Sequence, residues 1–257
     1  MKVTVLTENT ACRDGLEAEH GLSLYLETAG KKLLLDMGQT DAFIRNAEKM
    51  NIDLAQVDMA VLSHGHYDHG GGLQAFLRYN QTAPVYVHAN AFGQHYNGCE
   101  KYIGLDQAMR SHPRLIPVRG AVQIAQDLWL YDCNDLPWQF RSWGLNQKNG
   151  EDFVPDSFSH EIYLQITEGE RTLLFSGCSH KGVENIAGHF HPDVLVGGFH
   201  LNKQEDTRSL QETAQVLLQA CGVCYTGHCT GQTQYACMKA VMQQRLHRLT
   251  TGKTLQL

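Results

Sequence analysis

Met59-Ala60-Val61-Leu62-Ser63-His64-Gly65-His66-Tyr67-Asp68-His69-Gly70-Gly71-Gly72 is the stretch on which the reading of this chain turns. Its first four residues form a short apolar run, consistent with a buried strand. The run empties directly into three imidazoles and a carboxylate between positions 64 and 69. Neutral imidazole and carboxylate are the borderline and hard donors that suit Zn²⁺, Fe or Mn. Histidines two apart in a non-helical loop can turn toward one ion, and Asp68 and His69 on the next bend can face a second. Gly65 and the triple glycine 70–72 let backbone approach such ions with no Cβ in the way. A merely solvated loop gives no reason for this crowding between an apolar strand and three glycines, so the stretch reads as a metal site built on His64, His66, Asp68 and His69.

Outward from there, residues 2–7, 22–28 and 31–36 have the pattern of an opening meander, with Gly30 at a turn. Residues 40–51 carry helical spacing through Phe43, Ile44, Ala47 and Met50. A helix is predicted at about 73–80 and a strand at 84–88. The second half repeats this rhythm, with strands at 121–125, 128–131, 161–167 and 171–175, a helix at 181–188 and a strand at 193–197. An amphipathic helix then covers 206–220, a strand 222–226 ends at Gly227-His228, and a closing helix spans 233–247. Meanders alternating with single helices, seen twice, predict an α+β fold of two sheets covered by helices on their outer faces. The expectation is one domain over 1–257 with two pseudo-related halves, about 1–120 and 121–257. Residues 92–119 and 132–159 lack periodicity. Trp138, Phe140 and Trp143 argue against disorder there, so these stretches read as a lid or pocket wall, or as a small satellite core.

Composition narrows the function classes. Hydrophobic residues at 42% and charged residues at 19% describe an ordinary globular protein without disorder bias. A formal charge of -6 disfavours a general nucleic-acid binder. No apolar run is long enough for a membrane span, and the first residues read as a strand with no signal peptide before it. The eight cysteines show no disulfide-framework spacing, which predicts a reducing, cytoplasmic setting. Cys221-x-x-Cys224 sits where a helical pattern meets a strand, whereas a redox pair opens a helix, so it reads as buried structural thiols. A small-molecule substrate is the expected partner. The oligomeric state is not legible.

LSHGHYDHGGGL (62–73) resembles the metal-binding signature of the metallo-β-lactamase-fold superfamily. Together with LLLDMGQT (33–40), LLFSGCSHKGVEN (173–185), GGFHL (197–201) and TGHCTG (226–231), it resembles the branch named for a dihydropterin-methyl-(ribofuranosyl)aminobenzene phosphate synthase. The resemblance implies a four-layer αββα sandwich with one or two divalent ions at one edge, zinc first, with Mn or Fe as alternatives. Asp36 then matches an aspartate that orients the metal loop, or else simply caps its strand. His160, just before strand 161–167, matches a ligand that completes one ion, or is an ordinary loop histidine. Where the superfamily places a bridging Asp after LLFSG, this chain has Cys178. Either Cys178 supplies a thiolate, which prefers zinc, or His180 supplies the ligand. His228 stands where the final ligand belongs.

His200 follows a strand end, where layered α/β proteins gather functional groups. It reads as a substrate contact or general acid, or as a satisfied core histidine. Glu8-Asn9 can line the same pocket. His88, His95, His112, His189, His191 and His247 read as surface or packing residues. The function implied is metal-activated water acting on an ester, thioester, amide or phosphoester, with Asp68 orienting that water or ligating an ion. The alternatives are a transferase-type pterin phosphate synthase and a non-catalytic metal or ligand sensor.

Overall fold

Alternate residues of the central strands face different cores, and this alternation sets the layers. In the computed structural model, which describes residues 1–28 and 30–257, Leu33 and Leu35 enter a core between two sheets with Val3, Val5, Leu24 and Val61. Leu34, Ala60 and Leu62 instead enter a second core under the helices, with Phe43 and Phe76. The first half runs β1 (Lys2–Thr7), β2 (Ser23–Thr28), β3 (Lys31–Leu35), α1 (Ala42–Lys49), β4 (Met59–Leu62), α2 (Tyr67–Gly70), α3 (Leu73–Tyr79) and β5 (Val85–His88). Next come β6 (His95–Asn97), β7 (Lys101–Tyr102) and β8 (Leu115–Val118). The second half runs β9 (Ala121–Ala125), β10 (Leu128–Tyr131), β11 (Leu145–Asn149), β12 (Asp152–Pro155), β13 (Tyr163–Glu168) and β14 (Arg171–Phe175). It closes with α4 (Val183–Phe190), β15 (Val194–Val196), α5 (Thr207–Ala220), β16 (Val223–Thr226), α6 (Gln232–Met242), β17 (Leu246–Arg248) and β18 (Thr254–Gln256).

Two seven-stranded sheets result, ordered β18-β1-β2-β3-β4-β5-β8 and β17-β16-β15-β14-β13-β10-β9. They pack face to face through the apolar side chains of the first core, with α1 and α3 outside one sheet and α4, α5 and α6 outside the other. This is the αββα sandwich expected. Among the described residues no helix is long and apolar enough to cross a membrane.

Three expectations need correction. The closing helix stops at Met242 because Gln243 turns to a φ of +47°, and the chain re-enters the second sheet as β17. The last strand, β18, pairs with β1 of the first sheet. Unlike the equally short β15, neither strand stands out as an unbroken apolar run. The two aperiodic stretches are not loops throughout: they supply β8, at the edge of the first sheet, and a separate four-stranded sheet ordered β12-β11-β6-β7. That small sheet has its own core of Ile103, Leu145 and Phe158, packed against Tyr67 and Phe140. Ile103 and Leu145 also line the central cavity, so the wall and satellite-core readings describe the same element.

Candidate metal centre

Parallel pairing of β3, β4 and β5 in one sheet, and of β14, β15 and β16 in the other, brings the carboxyl ends of each set to one edge. The turns after β3, β4, β14, β15 and β16 carry Asp36, residues 63–69, residues 176–180, residues 197–200 and residues 227–229. Several of these turns are sharp. Asp36, His200 and His228 hold φ of +59°, +47° and +48°, a region where Asp and His are enriched among non-glycine residues. Non-glycine residues held there cluster at functional sites. Gly65 is required sterically, since a Cβ there would lie 2.0 Å from the Ala91 carbonyl oxygen.

Hydrogen bonds fix the protons on three of the imidazoles. Asp36, fully buried, accepts from Ser63 N–H through Oδ1 and from Ser63 Oγ–H through Oδ2, each at 2.7 Å. His69 Nδ1 donates to the same Oδ2, also at 2.7 Å. Ser63 has spent its only hydroxyl proton on Asp36, so it receives one from His64 Nδ1 at 2.9 Å. Asn9 Nδ2 donates to the His228 carbonyl, which orients the amide so that Asn9 Oδ1 accepts from His228 Nδ1 at 3.0 Å. All three rings are thus pinned at Nδ1, and each presents an Nε2 lone pair inward.

Those lone pairs converge. His69 Nε2 stands 3.1 Å from His228 Nε2 and 3.1 Å from Cys178 Sγ, and His64 Nε2 stands 3.3 Å from His180 Nε2. The Nε2 lone pairs of His69 and His228 thus face each other, and facing lone pairs repel unless a cation lies between them. Donors on one tetrahedral zinc ion, about 2.0–2.1 Å from each nitrogen, stand roughly 3.3 Å apart. The donors therefore fit one divalent ion in each of two adjoining groups, His64 with Cys178 and His180, and His69 with Cys178 and His228. Asp68 Oδ2 lies 3.3 Å from His228 Nε2 and 3.2 Å from His20 Nε2. The resulting cavity, of about 140 Å³, is lined by His66, Asp68, Cys178, His180, His200 and Cys229 among others. A larger one of about 370 Å³, walled by Phe140, Arg141 and Trp143, opens from His180 and His200.

The electrostatics suit cation capture. Burial pushes the imidazolium forms of His64, His66 and His180 well down, so these rings stay neutral. Burial opposes ionisation of Asp68, but the hydrogen bond from His20 and the neighbouring imidazoles of His228 and His69 outweigh it and hold the carboxyl well below its usual range. Burial pushes the Cys178 thiol well up. At Cys229 the same burial is overcome by the adjoining Cys178 and His200 side chains, which hold that thiol well below its usual range.

Of the residues singled out from sequence, His64, His69, Cys178, His180 and His228 come together directly, and His66, Asp68 and His200 line the same cavity. His160 stands apart from them, behind His66, where its Nδ1 accepts Gly65 N–H at 2.9 Å. Glu8 and Asn9 brace His228, Glu8 by accepting its backbone N–H. Sequence reasoning passed over His20, Asp156 and Cys229 and gave His95 no chemistry. Cys229 lies inside a quoted motif, so the signal was available. His95 and Asp156 belong to stretches without period, and only the fold carries them to His66.

A helix-covered double sheet with imidazole, thiol and carboxylate donors gathered at one edge is an architecture that can hold divalent metal ions. The chain belongs to the metallo-beta-lactamase superfamily, whose profile matches residues 16–219. It is 25% identical to the 7,8-dihydropterin-6-methyl-4-(beta-D-ribofuranosyl)-aminobenzene-5'-phosphate synthase of Methanocaldococcus jannaschii over 93% of this chain and 90% of that protein. Among solved structures it is similar to Tm1679, described as a metal-dependent hydrolase of the beta-lactamase superfamily, with a TM-score of 0.85, 26% identity and coverage of 100% and 99% of the two chains. It shares its fold with Zn²⁺-bound PqqB from Methylobacterium extorquens, at a TM-score of 0.62, 13% identity and full coverage of both chains.

Proposed function

We propose that the chain is a hydrolase of small molecules that uses one or two divalent ions, zinc in the first instance, to cleave an ester, thioester, amide or phosphoester bond. The observation that carries this reading is the pinning of His64, His69 and His228 at Nδ1, which leaves their Nε2 lone pairs facing other donors at 3.1 to 3.3 Å. His64, His66, Cys178 and His180 would hold one ion, and Asp68, His69, Cys178 and His228 the other. His160 is left out, because a ring that accepts at Nδ1 carries its proton on Nε2. When bound, such ions supply Lewis acidity and acidify water.

The protein's own groups do the rest. Asp68, with His20 and His228 beside it, accepts a hydrogen bond from the attacking water and aims its lone pair at a carbonyl carbon or phosphorus. His200, whose two ring nitrogens have no protein partner, hands a proton to the leaving group. Free thiols at Cys178 and Cys229 suit a reducing compartment such as the cytoplasm.

A second reading, a synthase joining a pterin precursor to a ribosylaminobenzene phosphate, is favoured by the activity for which the M. jannaschii relative is named. Incubating metal-loaded protein with esters, phosphodiesters and pterin diphosphates separates the two by product. His66→Ala and His228→Ala should each lose metal and activity while keeping the fold. Full activity with undiminished metal content in both variants would sink the proposal.

A further inference from the structure

Behind His66 lies a cluster that neither group of converging donors uses. His95, Asp156 and His160 are all buried, and their donor atoms lie within 4.8 Å of one another and of a His66 ring nitrogen. The Nε2 atoms of His66, His95 and His160 are each buried without a hydrogen-bond partner. The ring of His66 meets that of His95 edge-on, with centroids 5.6 Å apart and planes at 79° to the neighbouring His64 and 74° to His95.

Proton bookkeeping decides what this cluster does. Asp156 Oδ1 accepts Phe158 N–H at 2.7 Å. Its Oδ2 lies 2.7 Å from His95 Nδ1 and 3.5 Å from His160 Nε2. A carboxylate only accepts, so His95 carries its proton on Nδ1 and has a lone pair on Nε2. His160 accepts Gly65 N–H at Nδ1, so its proton is on Nε2, directed at Asp156. The cluster balances with neutral rings and needs no cation of its own. It contains a single free acceptor, His95 Nε2, and a single undecided neighbour, His66.

We infer that Asp156 and His95 are positioning residues: the unpartnered Nε2 atoms of His66 and His95 close on one another, His66 Nε2–H donating to His95 Nε2, and this leaves the His66 Nδ1 lone pair turned to the metal cavity. The relay runs Asp156 to His95 to His66, the counterpart of Asp36 acting on His69, but longer by one imidazole. Ligating histidines almost always donate their second ring N–H to such a partner. Both relay residues come from the small sheet and its flanks, His95 opening β6 and Asp156 following β12. The aperiodic stretches therefore do more than wall the cavity. They set the donor atom of a ligand held on another sheet.

This inference rests on the reading of His66 as a ligand, so the test separates the two. Long-range ¹H–¹⁵N spectra of the metal-free, ¹⁵N-histidine-labelled protein report the tautomer of His66, assigned by its loss in His66→Gln. The expected result is the Nε2–H form in the wild type and a mixture or the Nδ1–H form in His95→Phe, with the Nε2–H form restored in His95→Gln, whose carbonyl can still accept. Zinc competition should show one binding event weakened about 10–100-fold in His95→Phe and the other unchanged. An Nδ1–H tautomer in the wild type, or no change in His95→Phe, would overturn the relay even if zinc binds. A third zinc equivalent lost in Asp156→Asn would overturn it too, by making the cluster a metal site. Failure of the protein to bind any divalent ion would remove the proposed function, while the tautomer measurement would stand. Since the wild-type spectrum alone can refute the relay, a variant that does not fold leaves the test intact.

Discussion

Asp36→Asn isolates the logic of the site, because it changes two protons and almost no volume. The backbone accepts it: φ is +59° at this position, and Asn occupies the left-handed region as readily as Asp. The amide oxygen can replace Oδ1 and keep Ser63 N–H satisfied. The amide NH₂ then replaces Oδ2, where it faces Ser63 Oγ–H and His69 Nδ1–H, both donors. Relief requires His69 to accept at Nδ1 and carry its proton on Nε2, the atom 3.1 Å from both Cys178 Sγ and His228 Nε2. Affinity at that position should fall about 10–100-fold, equivalent to about 1.4–2.7 kcal/mol. Exchanging a charged acceptor for a neutral one should also cost the metal-free protein roughly 1.5–3 kcal/mol. Zinc competition against a chromophoric chelator reads the first figure, and urea denaturation of metal-free protein the second. Two binding events with unchanged affinities would refute the assignment of Asp36 as the residue that sets the His69 tautomer.

Other perturbations follow from the same geometry. Gly65→Ala places a Cβ 2.0 Å from the Ala91 carbonyl oxygen, so the variant should lose about 1–3 kcal/mol or more of stability; an unchanged Tm would contradict the packing at this turn. Asn9→Leu removes the acceptor that pins His228, and should weaken one zinc-binding event about tenfold while sparing the other, as read by the same competition assay. In the metal-free protein, burial pushes His160 from 6.5 down to about 4. A depressed pKa means the contribution is complete above 6.5 and is lost as pH falls toward 4, roughly 3 kcal/mol across that window. Urea denaturation at intervals of pH measures this, and His160→Gln should flatten the slope; a wild type equally stable at both ends would refute it.

The two helix-covered sheets were legible because strand-like meanders alternate with single helices twice along the chain, and that local rhythm survives in a one-dimensional record; the four-layer order came from the motif resemblance. The strand expected at 31–36 is β3, and the structure adds that Leu33 and Leu35 enter one core and Leu34 the other. The short strands β6, β7, β17 and β18 were not legible, since two or three residues of mixed polarity carry no pattern and owe their form to a neighbouring strand. The closing helix was drawn too long for a related reason: apolar spacing continues past Met242, but a left-handed Gln243 turns the chain into a sheet.

From sequence alone come the family, the double-sheet fold and a donor inventory bunched after strand ends, because local pattern and motif chemistry act over a few residues at a time. Only the tertiary structure decides which ring nitrogen of each histidine faces inward. That choice depends on hydrogen-bond partners far off in the chain: Asp36 for His69, Asn9 for His228, and Ser63 braced by Asp36 for His64. It likewise places His160 behind the donors instead of among them, and brings His95 and Asp156 beside His66. A proton's position on an imidazole is a property of its surroundings in space, and no spacing of residues along the chain encodes it.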